Sequence, residues 1–126
     1  MFMEMKNYFF NGKTIAFVGN EAIGDNQVFD ETEIIEAFAE TLKDLRKSAG
    51  LSTTELSKTI GIPQQTLSAY ENGRNTPSLL QAVRICAFFE CSIEDFIAYG
   101  LDIGAYDIVE KFCERVNLNR AMKKDS

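Results

Sequence analysis

The sequence predicts a mainly α fold in which a β-hairpin precedes a five-helix domain and an extra amphipathic helix follows it. Three observations carry this reading. Residues 51–77, LSTTELSKTIGIPQQTLSAYENGRNTP, hold two short helical periods that meet at a glycine. Residues on either side of that stretch carry apolar positions at spacings of three and four, the period of a helix. Residues 6–18, KNYFFNGKTIAFV, are two β-prone runs around an Asn-Gly pair, which tolerates the positive φ angles of a tight hairpin turn.

Within the predicted hairpin, Tyr8, Phe10, Thr14, Ala16 and Val18 share one sequence parity and Phe9, Ile15 and Phe17 the other, so both faces carry apolar groups. An isolated hairpin is marginal in water. The residues leave three placements open for it: against the helical domain, against the hairpin of a second copy, or against another protein. Residues 19–29 contain glycine and asparagine and are expected to form a loop. Asp30 stands three before Glu33, a capping signature, and opens a helix to about Ala49 whose apolar face is Ile34, Ile35, Phe38, Ala39, Leu42 and Leu45. Glu31, Glu33, Glu36 and Glu40 form its solvated face, with acids near the N-terminus favoured by the helix dipole.

In the central stretch, Leu56 and Ile60 lie on one face of the first short helix, and Leu67 and Tyr70 on one face of the second. Ser52 or Thr53 caps the first, with Glu55 placed for the reciprocal bond. Gly61 ends it, Ile62 plugs the turn, and Pro63 suits the first position of the next helix, where a missing N–H costs nothing. Asn72-Gly73 stops that second helix. Two short helices joined through a tight glycine turn make a helix-turn-helix. After Pro77, Ser78 caps a helix over 79–90 with Leu80, Val83, Ala87 and Phe88 expected inward. Ser92 then caps a short helix through Ala98 with Ile93, Phe96 and Ile97 apolar. Residues 105–120 place Tyr106, Val109, Phe112, Cys113 and Val116 on an amphipathic helix, and residues 117–126 are expected to fray.

At 126 residues the chain supports one good core and not two enzymatic domains. It has no histidine, no glycine-rich phosphate loop and no clustered nucleophile and base, so no enzymatic activity and no cofactor are expected. Cys86, Cys91 and Cys113 are odd in number and lack the Cys-x-x-Cys spacing of a zinc site; reduced, packed thiols are the expectation. No apolar run approaches the roughly 20 residues of a membrane span and no signal segment is evident, so a cytoplasmic protein is expected. The net charge of −6 argues against a general nucleic-acid binder, but it is unevenly spread. Residues 1–40 carry −6, residues 41–84 carry +3 and residues 85–126 carry −3. The basic segment, with Lys43, Arg46, Lys47, Lys58, Arg74 and Arg84, is the one that holds the helix-turn-helix.

The pattern Leu-x-x-x-Ile-Gly-Ile-x-x-x-x-Leu-x-x-Tyr-Glu-Asn-Gly-x-x-x-Pro, from Leu56 to Pro77, resembles the Cro/C1-type helix-turn-helix of phage repressors and xenobiotic-response-element regulators. The resemblance runs from Ile35 through Leu42, Leu45, Arg46, Gly50 and Leu51 to Ile85, Phe88, Phe89, Ile93 and Phe96, about half the chain. It implies a five-helix, lambda-repressor-like domain over 30–100, with 1–29 and 101–126 as extensions. It further implies a sequence-specific regulator that binds double-stranded operator DNA as a homodimer, most simply a repressor from a mobile element or phage-like operon. The alternative is an antitoxin or immunity protein whose terminal extensions bind a protein partner.

Carried over by position, the resemblance makes Gln64, Gln65, Ser68 and Ala69 base readers at the start of the second helix. A glutamine amide matches adenine N6 and N7, a serine suits either base type, and an alanine suits a thymine methyl. Ser52, Thr53 and Thr54 at one rim and Asn72, Arg74 and Asn75 at the other become phosphate contacts. Arg46 and Glu71 match a structural ion pair.

Overall fold

The computed structural model describes residues 3–10, 13–20 and 25–124, with side chains over 28–117. Three strands come first, β1 (Met3–Phe10), β2 (Lys13–Asn20) and β3 (Asp25–Asp30), followed by six helices. These are α1 (Glu31–Ser48), α2 (Thr53–Ile60), α3 (Gln64–Glu71), α4 (Leu79–Phe89), α5 (Ile93–Gly100) and α6 (Ile108–Lys124). The chain divides into two units, Met1–Ile35 and Glu36–Ser126, with the boundary inside α1.

The first unit is an antiparallel sheet in the order β1-β2-β3. Phe10 pairs with Lys13, the closing pair of a two-residue connection; the Asn11-Gly12 turn itself lies outside the described residues. The register pairs Tyr8 with Ile15 and Phe9 with Thr14, so residues of opposite parity oppose each other. This corrects the parity grouping expected for the hairpin, because a two-residue connection makes the paired residue numbers sum to an odd number. It also corrects the loop expected over 19–29. β2 continues to Asn20, and β3 pairs with it from Ile15↔Asp30 to Asn20↔Asp25. Glycine and asparagine suggested a loop, but a third strand lends a hairpin the stability it lacks alone. β3 then passes directly into α1, where Asp30 and Glu33 exchange the two bonds of a capping box. The Glu33 N–H donates to Asp30 Oδ1 at 2.8 Å and the Asp30 N–H to Glu33 Oε1 at 3.3 Å.

The second unit packs around Leu42, Leu45, Leu56, Ile62, Leu67, Ile85, Phe89 and Phe96, each essentially without exposure. Phenylalanine rings tie the helices together: Phe38 of α1 meets Phe96 of α5 at 4.7 Å between centroids, and Phe89 of α4 meets Phe112 of α6 edge-on at 4.9 Å. Buried beside them is Thr41, whose hydroxyl lies 2.9 Å from the Ala37 carbonyl and 2.7 Å from that of Phe96. Its one proton serves one carbonyl at a time and links α1 to α5. Tyr99 adds a second such link, its hydroxyl donating to Asp44 Oδ2 at 3.0 Å.

The inward face of α4 differs from expectation. Ile85, Cys86 and Phe89 are buried, whereas Leu80 and Val83 are 60% and 56% exposed and Ala87 is exposed. The helix reads LLQAVRICAFF. Such a segment carries two apolar stripes, and periodicity alone does not choose between them. The stripe ending in the larger Phe89 takes the core and leaves Leu79, Leu80 and Val83 outside. Phe88 is half-buried against Phe89 and Phe112. α6 starts at Ile108 rather than 105, Tyr106 is 64% exposed ahead of it, and Ile108 joins Phe112 on the buried side. Its helical backbone runs to Lys124, past the point where fraying was expected.

Where α5 crosses α1, a Cβ added at Gly100 would stand 2.1 Å from the Ala37 carbonyl oxygen and 2.5 Å from its carbon. Both are backbone atoms, so nothing flexible can yield. Gly100→Ala is expected to destabilise the protein by about 3 kcal/mol, the upper end of ordinary overpacking, read as a fall in the urea midpoint at unchanged m. Burial first, and then the bond to Asp44, raises the Tyr99 phenol to about 12, above its ordinary value near 10. The neutral phenol is the form the fold favours, so this contribution is complete below pH about 10 and is lost as pH rises through about 12. Alkaline titration followed by phenolate absorbance should show one tyrosine ionising near that upper value, and Tyr99→Phe should remove it.

Candidate nucleic-acid interface

α2 and α3 are each eight residues long, too short to persist alone, so their ends and their packing determine them. Ser52 caps α2: its hydroxyl accepts from the Glu55 N–H at 3.0 Å, and the Glu55 carboxylate accepts from the Ser52 N–H at 3.1 Å. The bond from the Ser52 backbone N–H first, and then the Ser52 side chain, hold the Glu55 carboxyl below its ordinary value. Gly61 closes the helix with φ 72°, a left-handed conformation that disfavours side chains. Ile62, 1% exposed, fills the turn. Pro63 stands one position earlier than expected, as the residue before the helix, so α3 begins at Gln64.

The N-terminus of α3 has no side-chain cap and no acidic residue in its first turn. Its leading N–H groups therefore keep the partial positive charge of a helix end. The Gln64 Nε2 donates to Thr53 Oγ1 at 3.3 Å, which brings the starts of α2 and α3 side by side. At the α2 end the capping box occupies the Ser52 and Glu55 N–H groups, so the Thr53 and Thr54 N–H groups are those left at the helix mouth. Two helix N-termini thus converge, a geometry suited to anions.

Along α3, Gln64 and Gln65 are exposed and Ser68 is half-buried. Ala69 is 9% exposed and belongs to the core with Leu67 and Tyr70. This corrects its expected exposure: Ala69 stands one turn from Gln65 on the same side of the helix, yet its small side chain is covered. Asn72, expected only at the rim, continues the line of Gln65 and Ser68 one turn on, and its Nδ2 donates to the Ser68 carbonyl at 2.9 Å. The i, i+3, i+7 spacing was visible in the sequence, but the rim assignment obscured it. Arg74 and Asn75 are exposed past the helix end, where the Arg74 N–H donates to the Ala69 carbonyl at 3.0 Å.

Arg46 and Glu71 form a two-pronged pair, Nε to Oε2 at 2.6 Å and Nη2 to Oε1 at 2.9 Å. The side chains are 13% and 6% exposed. Arg46 Nη1 also donates to the Leu51 carbonyl at 2.8 Å, so one guanidinium joins the end of α1, the entry to α2 and the end of α3. Its bond to Glu71 raises the Arg46 pKa further above an already high value. That pairing neutralises one charge of the basic segment, while Lys47, Lys58, Arg74 and Arg84 are exposed.

Two short helices packed across a left-handed glycine turn, the second offering a polar face, define a helix-turn-helix DNA-binding domain. A family model described as Helix-turn-helix matches residues 42–96. An HTH-type transcriptional regulator of Bacillus subtilis, YgzD, is 43% identical over 54 residues, covering 43% of this chain and 82% of its own. An HTH-type transcriptional regulator of Methanocaldococcus jannaschii is 40% identical over 61 residues, covering 48% of this chain and 92% of its own. No solved structure matches significantly. The chain belongs to the Cro/C1-type helix-turn-helix family and is a DNA-binding transcriptional regulator. Among the described residues, no helix is long and apolar enough to cross a membrane.

Removing one partner from the Arg46–Glu71 pair leaves the other charge buried. Glu71→Ala and Arg46→Ala are each expected to cost about 3–5 kcal/mol in chemical denaturation, whereas the paired replacement Arg46→Met with Glu71→Leu should cost less than either.

Proposed function

We propose that this protein is a sequence-specific regulator that binds double-stranded operator DNA as a homodimer and acts as a repressor, within a mobile-element or phage-like operon. The observation that carries the reading is the junction of the α2 and α3 N-termini at the Gln64–Thr53 hydrogen bond, with an uncapped, acid-free start to α3. In this reading α3 enters the major groove with its first residues at base edges. Gln64 and Gln65 read adenine through paired amide bonds, and Ser68 reads one turn further along. Ala69 is left out, because its methyl is buried.

Ser52, Thr53 and Thr54 hold one backbone phosphate through hydroxyls and helix-end N–H groups, and Asn72, Arg74 and Asn75 hold another. These contacts set register and salt dependence rather than sequence. One short helix spans too few base pairs for a useful operator, so two copies share a twofold site. The outward stripe of α4, with Leu79 84% and Val83 56% exposed, is the surface assigned to the second copy. Residues 30–100 form the DNA-binding domain in this reading, with 1–29 and 101–126 as its extensions. A dimer seated across an operator excludes other proteins from the same duplex, which makes repression its simplest action.

Selection from a random duplex library at fixed salt tests this directly. The native chain should enrich a motif of two related half-sites. The Gln64→Ala, Gln65→Ala double variant should lose it, with each good bidentate contact accounting for about 1–3 kcal/mol of discrimination. If a folded, dimeric native chain enriches nothing, operator reading is excluded and the terminal extensions become the place to seek a protein partner.

A further inference from the structure

The corner between α4 and α5 sets two cysteines against each other. Glu90 takes a left-handed conformation (φ 55°). Its N–H donates to the Ala87 carbonyl at 3.2 Å, and the Cys91 N–H donates to the Cys86 carbonyl at 3.1 Å. These two bonds make a Schellman cap, in which the residue after the left-handed position commonly contacts the residue five before it. Here both positions are cysteine. Both also line one apolar groove of about 340 Å3, together with Leu79, Val83, Ala87 and Ile93. Cys86 is 6% exposed and Cys91 half-buried, and both are free thiols.

The surroundings distinguish the two sulfurs. A hydrogen bond from the Cys86 thiol lowers Cys91, against burial and the Asp95 carboxylate, with help from the Arg115 charge. The same bond and burial push Cys86 up. Arg115 is anchored there, its Nη2 donating to the Phe89 carbonyl at 3.1 Å and its Nε paired with Glu90 at 2.6 Å. Cys91 also directly precedes Ser92, the cap of α5, where the helix end favours a thiolate.

We propose that Cys86 and Cys91 are a peroxide-oxidisable dithiol that closes to a disulfide within the chain, Cys91 reacting first and Cys86 resolving. The Cys91 thiolate attacks one oxygen of hydrogen peroxide: an S–O bond forms, the O–O bond breaks, and hydroxide leaves and takes up a proton as water. The Cys86 sulfur then attacks the sulfenic acid: the S–S bond forms, the S–O bond breaks, and the departing hydroxide leaves as water with the Cys86 proton. Two thiols are oxidised by two electrons and one peroxide is reduced to two waters. The inference does not depend on operator reading.

Cys113, half-buried on α6 with its thiol donating to the Ser48 carbonyl at 3.4 Å, is an internal control of similar exposure. With hydrogen peroxide at one equivalent, the native chain should lose two hydrogens in mass. Peptide mapping should show a Cys86–Cys91 link, with Cys113 still open to alkylation. Cys91 should react roughly tenfold faster than Cys113. Cys86→Ala should hold Cys91 as a sulfenic acid that dimedone captures, and Cys91→Ser should abolish the fast phase. Equal rates at Cys91 and Cys113 in the native chain, or a first disulfide that involves Cys113 or joins two chains, would overturn the assignment whether or not the variants fold.

Discussion

The guanidinium of Arg46 is the constraint on which the geometry of the helix-turn-helix depends. Three segments meet at it: the last turn of α1, the Leu51 carbonyl just before α2, and Glu71 at the end of α3. α2 and α3 contribute only eight residues each, so neither has enough internal hydrogen bonding to hold its own direction. Apolar packing of Leu56, Ile62 and Leu67 supplies adhesion, but adhesion alone allows sliding and rotation. A planar donor fork with three acceptors in fixed places does not. Burial makes the arrangement all-or-none, since a charge left unpaired there costs more than a surface pair ever contributes.

Much of the helical unit is legible in the sequence where the determinants are local. Ser52 and Glu55 cap one another three residues apart, and Asp30 and Glu33 repeat the arrangement. Gly61 can only be a turn, and Ile62 can only be a plug behind it. Legibility ends where a choice depends on residues distant in the chain. α4 is apolar on nearly all sides, and Phe89 decides its orientation through rings contributed by α5 and α6. Ala69 shares a helix side with Gln65 and Asn72, and periodicity does not show that so small a side chain is covered there. β3 was hidden for a different reason: its pairing with β2 is set by register, while glycine and asparagine nearby suggested a loop. Thr41 is the one buried polar group of α1, and nothing in a single sequence shows that a carbonyl on α5 lies opposite it. Arg46 and Glu71 are 25 residues apart and came into view only through the family resemblance.

The charge distribution and the helix ends work in the same direction. The chain as a whole is acidic, with a net charge of −6, so its average field repels a polyanion. Within the basic segment one arginine is neutralised by Glu71, and the exposed cations Lys47, Lys58, Arg74 and Arg84 are few. In the proposed reading, attraction to the backbone leans on the dipoles of two convergent helix N-termini and on the hydroxyls around them. These act over a single turn and fade beyond it. On that proposal the chain gains little from arbitrary duplex contact and depends on close fit at the α3 face.

α4 connects this face to the rest of the unit, and its two stripes serve different ends. Ile85 and Phe89 join the core with Phe96 and Phe112, while Leu79, Leu80 and Val83 stand outward on the same eleven-residue helix. Cys86 and Cys91 lie at the seam, lining the groove from which the outward residues rise. Single exposed apolar side chains are ordinary on a protein surface; here three stand in a row beside an apolar groove. At the adjoining corner Glu90 is left-handed, and Arg115 of α6 reaches the Phe89 carbonyl. That corner joins α4 to α5, and α5 is the helix that Gly100 and Thr41 hold against α1. The same α1 carries Arg46, so α5 and the two helices of the helix-turn-helix are held by contacts to one helix.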